Sequence, residues 1–255
     1  MFIDTHAHLD FASFDDDRDA VIQRAIENKL SAIITIGTSL DTSKQAIRFA
    51  ENYASIYAAV GIHPSDCAEA EDKDYSEIEK LAKNEKVIAI GEVGLDYYRM
   101  YTDKDTQKAA FKRQIKIARN VNLPLIVHTR ESQEDCIKIL VAEKAGDVSG
   151  VLHSFSGSQE ILEKALDTNF YISYTGGVTF KNSTTDELVA NTPVERMLLE
   201  TDSPFITPVP FRGKRNEPSY VIHTAKKIAE IKGLSVEELA KITTENARHL
   251  FGLTV

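Results

Sequence analysis

His6 and His8 stand two residues apart in the opening stretch MFIDTHAHLD. In an extended strand, residues i and i+2 face the same way, so the two imidazoles lie side by side with Ala7 turned away. Two neutral imidazoles at a strand end supply half of a metal site. A chance pair of surface histidines is the competing reading, and the rest of the chain decides between them. Glu92 follows the apolar run VIAIG, His128 follows LPLIV, His153 follows GVL and Asp202 follows MLLET. Four imidazoles and two carboxylates suit two divalent ions. A carboxylate has two oxygens and can bridge two cations, which an imidazole cannot, so Glu92 is the natural bridge. Taken singly, each residue has a plainer role: a core histidine, a turn aspartate before Ser203-Pro204, a glutamate paired with Arg99. Those plainer roles would all have to hold at once. Of the seven histidines, only His223 and His249 fall away from such run ends; His63, in VGIHP, is the fifth that does not.

The elements that must position these residues are legible as alternating apolar runs and amphipathic stretches. The pattern predicts strands over 2–6, 31–36, 56–61, 87–91, 124–128, 150–153, 170–174 and 197–201. Helices are predicted over 16–29, 41–53, 75–83, 105–121, 132–144, 158–167, 184–190, 219–232 and 235–250. Asp15 or Asp16 would cap the first, and Ser235 with Glu238 forms a capping box for the last. Eight buried-type strands alternating with helices predict a single-domain α/β fold over 1–255, a (β/α)8 TIM barrel. A doubly wound open sheet is the alternative, but it gathers its chemistry near one switch point. Here chemistry-bearing residues end nearly every strand, as on the C-terminal rim of a barrel.

Composition sets outer limits. The 255 residues are 42% hydrophobic and 27% charged, as in ordinary globular proteins. No apolar run has the length of a membrane span, and the start lacks the basic and apolar regions of a signal peptide. Cys67 and Cys136 form neither a CxxC pair nor a disulfide framework, so a reducing, cytoplasmic setting is expected. A net charge of −9 argues against a protein that coats nucleic acid through a basic surface, though not against an enzyme taking one phosphodiester into a local site. No membrane association and no obligate protein partner are expected.

The motifs MFIDTHAHLD, VGIHP, GEVGLDYY, PLIVHTRES, LHSFSG and LLETDSP together resemble the TatD family of metal-dependent hydrolases, within the amidohydrolase superfamily. They occur in the family's order, and the resemblance runs from residue 3 to about residue 251. It implies a TIM barrel with a dinuclear centre and hydrolysis of DNA phosphodiesters, with trimming of 3′ ends. Carried onto this chain, it implies one metal held by His6, His8, Glu92 and Asp202, and a second held by Glu92, His128 and His153. Glu92 stands where the phosphotriesterase branch has a carbamylated lysine, which argues against that branch. The ions would be Mg2+, Mn2+ or Zn2+.

Coordination lowers the pKa of water by several units, and Asp202 is placed both to ligate and to accept the proton. Glu200 would either orient a histidine or fill the barrel. His63 would contact a substrate phosphate or brace Pro64. Arg130, two residues past His128, suits a bidentate phosphate contact or a rim salt bridge. Ser154 would donate to substrate, and Phe155 would stack on a base or pack. Arg212 and Arg215 belong to a loop at 208–218 with three cations in four residues, which fits phosphate capture or a solvated surface. The expected function is a deoxyribonuclease acting 3′ to 5′ on single-stranded ends. The alternative is a D-aminoacyl-tRNA deacylase, or another ester or amide hydrolase, using the same centre. Its partner would then be tRNA rather than DNA.

Overall fold

The computed structural model describes residues 1–254. Its strands are β1 (Phe2–Ala7), β2 (Leu30–Ile36), β3 (Ile56–Val60), β4 (Val87–Asp96), β5 (Leu125–Arg130), β6 (Gly150–Leu152), β7 (Phe170–Tyr174) and β8 (Met197–Leu199). All pair in parallel with their sequence neighbours, in the order β1 to β8. The ring is closed by an isolated bridge between Ala7 and Ser203, with the His8 amide donating to the Ser203 carbonyl and the Asp202 amide to that of His6. The (β/α)8 barrel is therefore formed.

Helices α1 (Arg18–Glu27), α2 (Leu40–Asn52), α3 (Asp72–Leu81), α4 (Lys104–Val121), α5 (Gln133–Ala142), α6 (Gln159–Asp167), α7 (Asp186–Asn191) and α8 (Val221–Lys232) surround it, and α9 (Val236–Phe251) follows. Their ends are set by local chemistry. Asp103 accepts from the amides of Asp105 and Thr106 at the start of α4, and Ser235 and Glu238 form the anticipated capping box on α9. Neither Asp15 nor Asp16 caps α1. The position falls to Asp17, whose side chain makes no cap bond and is held instead by Arg215 and Arg24. No helix among the described residues is long and apolar enough to cross a membrane.

Strand alternation sorts side chains between two packing layers. In β5, Leu125 and Val127 join the core shared with the helices, whereas Ile126 joins a second apolar cluster inside the ring. That inner cluster also takes Ile3, Ile88, Val151, Tyr171 and Leu198, with Phe251 and Leu253 from the end of the chain. Two residues further along each strand, the inward positions are His128 on β5, His153 after β6, Ser173 on β7 and Glu200 after β8. The barrel is thus aliphatic in its N-terminal half and histidine- and carboxylate-lined in its C-terminal half, where the active sites of such folds lie.

One strand departs from the predicted bounds in a way that matters. β4 runs on through Asp96, so Glu92 sits within a strand and not just past one. Gly94 makes the extension possible: its φ is +133°, and a Cβ there would stand 2.1 Å from the His128 carbonyl oxygen. Only glycine lets β4 keep register with β5, where Gly94 lies opposite His128 and Asp96 opposite Arg130.

Candidate metal centre

The barrel brings His6, His8, Glu92, His128, His153 and Asp202 into one cluster at its C-terminal mouth. His6 Nε2 and His8 Nε2 lie 3.2 Å apart. Glu92 Oε2 is 3.5 Å from the first and 3.7 Å from the second, and Asp202 Oδ1 is 3.7 Å and 3.4 Å from them. The other oxygen of Glu92 faces the opposite way. Glu92 Oε1 lies 2.9 Å from His128 Nδ1 and 2.8 Å from His153 Nε2, with those two nitrogens 3.3 Å apart. His63 Nε2 approaches the same oxygen at 3.6 Å.

These donor atoms fit divalent ions. Ligands about 2.0–2.2 Å from a common tetrahedral zinc are roughly 3.3 Å apart, which is the size of the edges seen here. Paired imidazole nitrogens pointing at one another, each beside a carboxylate oxygen, are awkward as hydrogen-bonding partners and apt as ligands. His6, His8, Glu92 and Asp202 present one such set of donor atoms, and Glu92, His128 and His153 present another.

Electrostatics reinforce this arrangement. Burial alone would raise the Glu92 carboxyl, but His153, His63 and His128 hold it well below the usual carboxylate range. Burial also works against charge on His153 and His128, yet Glu92 and Glu200 hold the first well above its ordinary value, and Asp96 and Glu92 raise the second. The carboxylates call for positive charge at the positions where divalent ions would supply it. His63 is pushed down to about 3, mainly by burial, and is a neutral donor or acceptor at working pH.

The supporting side chains explain how the ligands are held. Glu200 accepts from the Ser154 amide at 2.6 Å and the Ser173 hydroxyl at 2.7 Å, and its Oε1 stands 3.5 Å from His153 Nδ1. Its charge lies beside that imidazole, while its oxygens are hydrogen-bonded to Ser154 and Ser173. Asp202 and Ser154 have φ of +53° and +46°, so strained turns after β8 and β6 aim these residues at the mouth.

Asp96 also belongs to the site, in the stretch beyond Gly91 where the sequence predicts β4 to stop. The even spacing of Glu92, Gly94 and Asp96 is the signal that would have found it. Its Oδ2 lies 3.1 Å from His128 Nε2, while Oδ1 accepts from the amides of Tyr98 and Arg99. Burial opposes its ionisation, but His128 and those contacts bring it down to about 2. The carboxylate thereby fixes the tautomer that leaves Nδ1 free to ligate. Asp96→Asn keeps the two amide contacts on Oδ1, which turns the new NH2 group towards Nε2 and forces the proton onto Nδ1. The expected result is a loss of about 10–100-fold in metal affinity at the His128 side, read by metal titration. Unchanged affinity would mean that Asp96 serves only the turn.

Asp4 lies beneath the cluster, fully buried, accepting from the Thr201 amide at 2.9 Å and facing the Thr201 hydroxyl at 2.6 Å. Burial raises its carboxyl from 3.8 to about 8. A folded value above the unfolded one means that the native state binds more protons between these limits. Asp4 therefore favours folding at low pH, and its contribution falls by up to about 1.4 kcal/mol per pH unit as pH rises from about 4 to 8. Asp4→Asn reproduces the neutral form, so the variant should match wild type in Tm near pH 3, below the unfolded value, and exceed it by a growing margin up to about pH 8. Parallel Tm–pH curves would contradict this.

The cluster opens into a cavity of about 840 Å3 lined also by His63, Arg130, Ser154 and Phe155. Phe155 is buried against Tyr174, so it packs as core. The loop at 208–218 does not bring its arginines to this cavity. Arg215 is paired with Asp17 at 2.8 Å and lies over Phe14, and Arg212 lies 3.7 Å over the Phe180 ring. The Arg215 guanidinium is thus taken up by Asp17, while Arg212 is stacked on Phe180 and lies outside the cavity lining.

Comparison with known proteins agrees with this geometry. Residues 3–252 match the family model described as TatD related DNase. An uncharacterised metal-dependent hydrolase of Bacillus subtilis strain 168, YabD, is 48% identical over 98% of this chain and 99% of its own length. A protein of Erwinia amylovora described as a 3′-5′ ssDNA/RNA exonuclease TatD is 35% identical over 98% of this chain and 99% of its own. The crystal structure of YJJV, a TatD homologue from Escherichia coli K12, superposes with a TM-score of 0.91 at 30% identity, covering 99% of this chain and 98% of that one. The fold, the histidine–carboxylate cluster and these matches lead to one assignment: the chain belongs to the TatD family and is a metal-dependent hydrolase.

Proposed function

We propose that the protein is a deoxyribonuclease that removes nucleotides from the 3′ ends of single-stranded DNA, using two divalent cations, Mg2+, Mn2+ or Zn2+. The observation that carries this reading is the division of Glu92, one oxygen toward His6 and His8 and the other toward His128 and His153. Such a carboxylate between two ligand sets matches the centres that clamp the attacking and leaving oxygens of a phosphodiester. The Erwinia amylovora relative adds the substrate class.

When bound, the cations lower the pKa of water and offset the charge that builds on the non-bridging phosphate oxygens. The chain does the rest. Asp202 is buried, but His8 and His6 keep its carboxyl below its ordinary value, so it is ionised and able to accept the proton of the attacking water. Arg130 supplies a guanidinium for a phosphate oxygen, and His63 and Ser154 supply neutral hydrogen-bonding groups.

Metal-stripped protein should regain activity with one of the three ions. A 3′ label on single-stranded DNA should be released at once, and the 5′-labelled strand should shorten as a descending ladder. Single-stranded RNA and a D-aminoacyl-tRNA complete the panel. Release of the amino acid with DNA untouched would replace the substrate and leave the centre in place.

A further inference from the structure

The mouth of the barrel is asymmetric in charge. Phe11 and Phe205 lie just beyond the neighbouring strands β1 and β8, while Arg99 and Arg130 belong to the neighbouring strands β4 and β5 or the loop just after. In an eight-stranded ring these two strand pairs are four strands apart either way round, so the two walls face each other across the centre.

On one wall, the Phe11 and Phe205 rings meet edge to face, 5.1 Å between centroids, and the His8 ring lies 5.4 Å and 6.1 Å from them. They remain 37% and 45% exposed, unusual for large apolar rings beside a buried cluster. Arg99 and Arg130, on the opposite wall, are the only lysine or arginine side chains that line the cavity among the described residues. Arg130 lies 3.9 Å over the Tyr98 ring, and Arg99 donates to the Tyr101 hydroxyl at 3.1 Å. The arginine wall can hold phosphate; the phenylalanine wall offers only ring faces.

A strand end has the same asymmetry. On one side of the scissile phosphate the chain continues, with a phosphate at every step. On the other stands a terminal nucleoside with a base and no further phosphate. We infer that Phe11 and Phe205 stack the terminal base while Arg130 and Arg99 hold the next phosphate inward, so the site reads chain ends and releases one nucleotide at a time. The inference rests on the nucleic-acid reading above. An internal segment would bring a phosphate to the wall without cations, with nothing to pair it.

The test uses metal-loaded protein and three oligodeoxynucleotides: one with an ordinary 3′ nucleoside, one with an abasic 3′ residue, and a circular single strand. Wild type should prefer the ordinary end over the abasic end by about 10-fold or more in kcat/KM, as expected for base–aromatic stacking, and spare the circle. In a Phe11→Ala, Phe205→Ala protein that ratio should fall to about one, and Phe11→Tyr, Phe205→Tyr should restore it. Arg130→Ala should weaken binding of a 5′-dye-labelled strand with hydrolysis-resistant phosphorothioate linkages, measured by anisotropy on the metal-loaded protein, and lower the slope of log K against log salt by about 0.7. Equal slowing of both ends in the double variant, an unchanged slope, or rapid cutting of circles would overturn the inference. Bis(p-nitrophenyl) phosphate separates the two failures. Its hydrolysis without end discrimination sinks this inference alone, whereas inertness toward it and every oligonucleotide removes the nucleic-acid reading as well.

Discussion

Glu92→Gln should fold as the same barrel and lose hydrolysis of single-stranded DNA by more than the about 10²–10³-fold that removing one preorganised electrostatic group costs. The side chain is nearly fully buried, and both oxygens face nitrogens of other site residues. An amide keeps the shape but turns one of the two donor atoms into an NH2 group, which cannot coordinate. Whichever way it settles, either the His6–His8 side or the His128–His153 side loses its shared ligand. The neutral side chain also removes the charge that draws protons or cations to the surrounding imidazoles. Circular dichroism and melting should stay close to wild type while steady-state turnover collapses. A fully active Glu92→Gln protein would end the bridging assignment.

Asp202→Asn should lower kcat by about 10²–10⁴-fold, the usual range for losing a positioned proton acceptor. Asparagine tolerates the left-handed backbone that Asp202 adopts at φ +53°, so the turn after β8 survives the change. Its amide oxygen can still approach His6 and His8, but it cannot take a proton. The variant should therefore gain activity with rising pH, as hydroxide replaces the missing base, while wild type levels off once Asp202 is ionised. Its carboxyl lies below its ordinary value, because His8 and His6 outweigh burial, so that plateau should begin on the acid side of neutrality. A rise in KM with kcat unchanged would show that Asp202 only positions substrate.

How much of this was legible in the sequence depends on the kind of contact. The alternation that turns Ile126, His128 and Arg130 inward is a property of β5 alone, and the spacing displays it. The same holds for His6 and His8. The apolar run that predicts β4 ends at Gly91, yet the absent side chains of Gly91 and Gly94 are what allow the strand to continue against β5. Asp96 was lost with that segment. The arginines of the 208–218 loop were legible as a charge run but not as partnered, since Arg215 finds Asp17 198 residues away. Phe11 and Phe205 are likewise joined only by barrel closure between β1 and β8, which no local pattern announces.

The most direct test of the central claim counts metal on the protein. Wild-type protein loaded with Mn2+ and freed of excess ion should hold two ions per chain by elemental analysis. Its electron paramagnetic resonance spectrum should be that of two coupled ions sharing a carboxylate, and Glu92→Gln should lose both the coupling and at least one ion. One ion per chain in wild type, or a coupled pair that survives Glu92→Gln, would contradict a centre built on Glu92.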